Sequence, residues 1–150
     1  MQFYYDLHLH SCLSPCGSDE MTPANLAAMC ALAGLEIVAL TDHNSCGNCA
    51  FCRAAQAHGL TALAGMELCT QEEIHVVCLF PDPERAEAFS SEIAKHLPPI
   101  CNNPDRFGKQ LRMDDGDGIL GVETAFLSGC TDIPLSEVPR LVTQWGGAAF

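Results

Sequence analysis

Asp6-Leu7-His8-Leu9-His10-Ser11 alternates polar and apolar side chains within an apolar N-terminal run. Read as a strand from Phe3 to His10, it turns Asp6, His8 and His10 to one face and Leu7 and Leu9 to the other. The two imidazoles then stand about 6.5 Å apart along the strand. That is near enough to converge on one ion through metal–nitrogen bonds of about 2.0–2.1 Å. Asp6 is placed to orient a ring nitrogen from behind. A half-buried strand that happens to carry two histidines explains the hexapeptide equally well, so the decision lies with what the rest of the chain brings to the same place.

After His10 comes a turn-rich loop, residues 11–21, and then Thr22 as an N-cap with Pro23 at the first helical position; Gly34 stops that helix. Leu35 to Leu40 is a short apolar run expected to be a buried strand, and it delivers Thr41-Asp42-His43-Asn44. A second helix is expected over residues 45–58, ended by Gly59. Strands follow at 60–66, with Glu67 at the carboxyl end, and at 74–80. Asp82-Pro83-Glu84 opens a third helix running to about Leu97, where Pro98-Pro99 ends it. A fourth helix is expected over residues 135–145, and Ala148-Ala149-Phe150 begins another buried strand.

Strand, helix, strand, helix, strand is the order of an α/β fold with a largely parallel core, in which ligands collect at the carboxyl ends of strands. His8 and His10, His43, and Glu67 all fall on that rim. Only about seven residues separate Glu67 from His75, too few for a parallel crossover of a dozen or more. The two strands must form a hairpin, which returns His75 to the rim beside Glu67. Imidazoles with a carboxylate suit zinc, iron or manganese better than magnesium or calcium.

Composition narrows the function. Nineteen acidic against seven basic residues leave a net charge of −12, which opposes a groove for nucleic acid. Small anionic substrates remain compatible, because bound cations reverse the local charge. No basic, cleavable leader precedes Asp6 and no apolar run approaches the roughly 18 residues of a membrane span. Ten cysteines without such a leader are expected to be reduced thiols of a cytoplasmic protein. Cys46-x-x-Cys49-x-x-Cys52 resembles the start of an iron–sulfur or zinc run, but a fourth ligand is missing at the usual spacing. A helix packing small soft residues inward is the plainer expectation. Asp114-Asp115-Gly116-Asp117-Gly118 reads as a turn between short strands, since the ligand pattern of a calcium loop is incomplete.

Taken together, Asp-Leu-His-Leu-His-Ser at 6–11, Thr-Asp-His-Asn at 41–44, Gly-Met-Glu at 65–67 and Ile-His-Val at 74–76 resemble the polymerase and histidinol phosphatase (PHP) family of metal-dependent phosphoesterases. The resemblance implies a distorted seven-stranded β/α barrel, with residues 1–150 as its N-terminal part. The family's later ligand motifs would lie beyond Phe150. It implies two or three divalent ions (zinc, manganese or iron), with His8, His10 and Glu67 on one, Glu67 and His75 on a second, and His43 at a third. Glu67 and Asp42 are the expected catalytic residues, Asp42 as an outer-sphere partner. Where many relatives place an aspartate or histidine in the first loop, this chain has Ser14, Pro15 and Cys16, with Asp19 further on, so Cys16 or Asp19 is the candidate extra ligand. Arg106, Lys109 and Arg112 are candidates to grip a substrate phosphate. The expected activity is hydrolysis of small phosphomonoesters by a metal-activated water. A weak metal-binding module, a nuclease and a cysteine-cluster redox protein are the alternatives.

Overall fold

The structure, a computed structural model, describes residues 2–150. Its main sheet has the order β1-β2-β3-β4-β7, with β1 (Tyr5–Leu9), β2 (Ile37–Leu40), β3 (Thr61–Cys69), β4 (His75–Phe80) and β7 (Ala148–Ala149). The first three strands run parallel, and β4 is antiparallel to both of its neighbours. A separate hairpin pairs β5 (Leu111–Met113) with β6 (Ile119–Val122). The helices are α1 (Pro23–Leu32), α2 (Phe51–Ala57), α3 (Pro83–Ile93), α4 (Pro104–Phe107) and α5 (Val138–Gln144). This is the mixed α/β architecture expected. Among the described residues the main sheet has five strands rather than the seven of the expected barrel. Among the described residues no helix is long and apolar enough to cross a membrane.

Two apolar layers hold the helices to the sheet. Ala27 and Cys30 of α1 pack with Val38 and Leu40 of β2 and with Phe51, Ala54 and Ala55 of α2. On the other side of α2, Ala64, Met66 and Leu68 of β3 meet Phe80, Phe89, Ile93, Val138 and Val142, with the Phe80 and Phe89 rings 4.9 Å apart. Each Val, Leu, Ile, Met or Phe side chain among them contributes roughly 1.5–3 kcal/mol on burial. Because β3 sends Ala64, Met66 and Leu68 to the helices, the period of two sends Gly65, Glu67 and Cys69 to the opposite face. A Cβ on Gly65 would meet the Cys78 carbonyl oxygen at 2.5 Å, so only glycine lets β4 lie this close beside Glu67.

Several expectations shift in detail. The helix expected over residues 45–58 begins only at Phe51. Ser45 Oγ takes the Gly47 N–H, and the buried Asn48 amide is engaged outside its own segment, donating to Ser11 Oγ and the Leu111 carbonyl and accepting the Met113 N–H. The strand β3 extends to Cys69, so Glu67 lies two residues inside it. The alternation in β1 is broken by a register shift between Asp6 and Leu9, where Asp6 Oδ1 accepts the His8 backbone N–H at 3.1 Å. Asp6 therefore holds a bulged backbone and not a ring nitrogen. The 67-to-75 hairpin is present: Cys69 pairs with His75 and Glu67 with Val77.

The turn at 114–118 is used internally. Asp114 Oδ1 accepts the N–H groups of Gly116 and Gly118, while Asp117 reaches α1, accepting from Ala24 N at 2.9 Å and Thr22 Oγ1 at 2.7 Å. Thr22 in turn caps Asn25 N, and Pro23 has no N–H to satisfy. The first turn of α1 thus has its free donors met, with a negative charge at the positive end of the helix. Removing that carboxylate in Asp117→Ala should lower stability by about 1–2 kcal/mol in urea unfolding. Asp115→Ala, which breaks only an exposed pair with Arg53 at 3.4 Å, should cost less than about 0.5 kcal/mol.

Candidate metal centre

Four imidazoles surround the carboxylate of Glu67. His8 Nε2 and His75 Nδ1 lie 3.2 and 3.1 Å from Oε1, and His10 Nε2 and His43 Nδ1 lie 3.2 and 3.0 Å from Oε2. His8 Nε2 and His10 Nε2 are themselves 3.1 Å apart. Chain topology explains the convergence. His8 and His10 leave β1, His43 follows β2, and His75 opens β4. Backbone bonds from Glu67 N to the Asp42 carbonyl and from Asn44 N to the Glu67 carbonyl, each 3.0 Å, hold His43 level with Glu67 in a one-residue parallel bridge.

These contacts fit divalent ions. Donors of a tetrahedral ion with bonds of about 2.0–2.1 Å stand about 3.3 Å apart, and the separations here are close to that. His8, His10 and Glu67 form one cluster of donors, His43, Glu67 and His75 a second, and His10, Cys16 and His43 a third. His43 Nδ1 is buried and has no hydrogen-bond partner: Glu67 Oε2 is near it but out of line. A bare lone pair at that point is what a cation would satisfy. The Nδ1 of His43 faces the same carboxylate as His75, while its Nε2 lies 3.6 Å from Cys16 Sγ in the third cluster.

Electrostatics prepares the donors. Burial lowers the pKa of His10, with His8 and His75 adding to the effect against the pull of Glu67. Burial and His10 likewise lower that of His43. Both rings are therefore neutral near pH 7, with a lone pair available. Burial pushes Glu67 upward, but His43, His75 and His8 outweigh it and hold the carboxyl below its ordinary value.

Behind this layer lies Asp42, only 1% exposed. Its Oδ1 accepts from Ser11 N at 2.7 Å and Ser14 Oγ at 2.6 Å, and its Oδ2 accepts from Ser11 Oγ at 2.7 Å. Burial raises its pKa, and the Ser11 and Ser14 donors oppose the rise. Since Ser14 gives its proton to Asp42, its oxygen must accept from His10 Nδ1 at 3.1 Å. The proton of His10 is thereby placed on Nδ1, and Nε2 is left bare toward Glu67. Asp42 acts through Ser14 on His10 and is a positioning residue.

Other candidates fall elsewhere. Asp19 pairs with Lys109 Nζ at 2.7 Å in an exposed ion pair. The Arg106 guanidinium lies 5.6 Å over the Phe107 ring. Arg112 lines a cleft of about 440 Å³ with Asn44, Ser45, Cys46 and Gly47. Cys46, Cys49 and Cys52 are buried in the core with Cys78, and among the described residues they form no metal-binding group. Burial raises the Cys46 thiol well above its ordinary value and Cys52 to about 12, which suits inert core residues. Cys16 does reach the histidines, with Sγ 3.3 Å from His10 Nδ1 and 3.6 Å from His43 Nε2.

Sequence reasoning missed the roles of Ser11, Ser14, Asn44 and Asn48. Asn44 donates to the carbonyls of Leu127 and Gly129 and accepts the Cys69 N–H, pinning the 127–129 segment beside the site. The available signal was position: short polar residues directly after each histidine motif.

Comparison with known proteins places this geometry in a family. The PHP domain family model matches residues 6–112, and the chain belongs to that family. Among solved structures it is similar to a protein of Bifidobacterium adolescentis assigned as a metal-dependent phosphoesterase, at TM-score 0.63 and 18% identity over 99% of this chain and 66% of that one. It is also similar to the lesion-specific endonuclease PfuEndoQ of Pyrococcus furiosus, at TM-score 0.63 and 15% identity over 99% of this chain and 34% of that one. An amidohydrolase of Chromobacterium violaceum, with bound sulfate and no metal, gives TM-score 0.58 and 21% identity over 97% of this chain and 65% of that one. This chain thus spans less than two thirds of each of these proteins. Curated proteins gave no match.

Asp42→Asn tests the layer behind the histidines. An amide sets its NH₂ either in the Oδ1 place, against the Ser11 N–H, or in the Oδ2 place, against the Ser11 hydroxyl, whose oxygen already accepts from Leu13 N and Asn48 Nδ2. Urea unfolding should show a loss of about 2–3 kcal/mol, against less than about 1 kcal/mol for Asp6→Asn.

Proposed function

We propose that the chain hydrolyses phosphate esters, small monoesters foremost, at two divalent ions held around Glu67. The observation that carries this reading is one buried carboxylate with four imidazole nitrogens at 3.0–3.2 Å. His8, His10 and Glu67 would hold the first ion, and Glu67, His43 and His75 the second. The nitrogen and carboxylate donors suit zinc, manganese or iron. When bound, such ions neutralise phosphate oxygens and lower the pKa of water.

The protein's own share is preorganisation. Neutral His10 and His43 present lone pairs without first losing a proton, and Glu67 is ionised at neutral pH. Asp42 and Ser14 keep the His10 proton on the nitrogen facing away from Glu67. With Lys109 paired and Arg106 stacked, Arg112 is the basic residue placed to meet a remote anionic group of the substrate, from the cleft beside Asn44 and Ser45. The net charge of −12 favours a small ester over a polynucleotide, whose many phosphates would be repelled.

Elemental analysis should find zinc, manganese or iron in the purified protein, and a chromogenic phosphate monoester should be hydrolysed faster than a single-stranded oligonucleotide. Glu67→Ala should lose bound metal and reduce turnover by more than the roughly 10–100-fold that loss of an outer partner costs. Unchanged metal content and turnover in that variant would sink the reading. Metal binding without hydrolysis of either ester would leave a metal-binding module.

A further inference from the structure

Cys130 lies in the segment that runs beside the carboxyl end of β3, and its Sγ is 3.4 Å from that of Cys69, 61 residues away in sequence. Both backbones are fixed around this contact. Thr131, the next residue, gives its N–H and its hydroxyl to the Cys69 carbonyl at 2.9 and 2.7 Å. Asn44 holds the other side: its Nδ2 donates to the Leu127 and Gly129 carbonyls, and its Oδ1 accepts the Cys69 N–H at 2.8 Å. Gln71 N reaches the Ile133 carbonyl at 2.9 Å. The fold has thus already closed the long loop that a bond between these sulfurs would close, and a bonded pair stands about 2.05 Å apart. Access differs between them, Cys130 being half-buried and Cys69 only 2% exposed. Other sulfurs lack this combination. Cys46, Cys49, Cys52 and Cys78 are sealed together in the core, and Cys12 faces the thioether of Met113 at 3.5 Å.

We propose that Cys69 and Cys130 form a reversible disulfide by exchange with a small disulfide of the glutathione type. Cys130, the sulfur that solvent reaches, attacks one sulfur of the small disulfide and breaks its S–S bond. One glutathione leaves as the thiol, carrying the Cys130 proton, and the other stays on Cys130 as a mixed disulfide. Cys69 then attacks the Cys130 sulfur, and the second glutathione leaves with the Cys69 proton. Two protein thiols are oxidised and one glutathione disulfide is reduced to two thiols. The new bond lies on the face of β3 that carries Glu67, two residues further along. It ties that strand covalently to the segment that Asn44 now holds by hydrogen bonds alone. No ion takes part, so the proposal stands apart from the metal-centre reading.

The test treats the purified protein with excess glutathione disulfide, quenches in acid, alkylates in urea and digests with trypsin and a glutamate-specific protease. Cleavage after Glu72 separates Cys69 from Cys78, and Cys130 is the one cysteine between Arg112 and Arg140. Mass spectrometry should find the Cys69 and Cys130 peptides joined, and dithiothreitol should part them. Closing a loop of this length should raise the thermal unfolding midpoint by about 5–15 °C. Cys130→Ser, with a midpoint like that of the reduced wild type, should show neither the link nor the rise. Cys101→Ser, which removes an exposed cysteine, should keep both. Glutathione left on Cys130 beside an alkylated Cys69 would overturn the proposal. So would alkylation of both residues, or Cys130 joined to a different cysteine.

Discussion

A carboxylate that is buried and ionised must be surrounded by positive charge or by donors, and Glu67, ringed by four imidazoles from two strands and two loops of which His10 and His43 turn bare nitrogens toward it, is a place where cations would meet that demand. The constraint reaches through the whole fold. Met66 and Leu68 must face α3 so that Glu67 faces the opposite side, and β4 must return antiparallel so that His75 arrives beside it. The single bridge at His43 must form so that β2 delivers its loop at the same level. Burial lowers the pKa of His10 and His43, and repulsion among the gathered imidazoles adds to it.

Behind the histidines sits a second polar layer that is nearly closed to solvent. Asp42, Ser11, Ser14 and Asn48 exchange hydrogen bonds between two separate loops, and Asn48 extends them to the β5–β6 hairpin. That hairpin then caps α1 through Asp117. A continuous set of satisfied polar groups therefore links the site to an element that carries no ligand. Such networks favour one arrangement over its neighbours, because each unmatched member in the low-dielectric interior is costly.

The fold neighbours include an assigned phosphoesterase, an endonuclease and an amidohydrolase, all under 25% identical. What they share with this chain is architecture, and architecture does not select a substrate. Substrate choice rests on the groups around the histidines; in this chain Arg112 lines the neighbouring cleft and Lys109 is paired with Asp19.

The sequence by itself determined the strand-helix order, the caps of α1 and α3, the hairpin that returns His75, and the identity of the five side chains around the site. These are legible because they depend on local rules: proline at a helix start, periodicity along a strand, and a connection too short to cross over. The tertiary structure decided the start of α2, the bulge in β1, the pairing of Asp19 with Lys109 and the direction of each histidine nitrogen. None of these follows from local propensity. Asn48 leaves helical geometry because distant partners claim its amide, and His10 keeps its proton on Nδ1 because Asp42, far along the chain, has taken the proton of Ser14. Hydrogen-bond competition between remote segments settles such choices, and a linear sequence does not state which donor meets which acceptor.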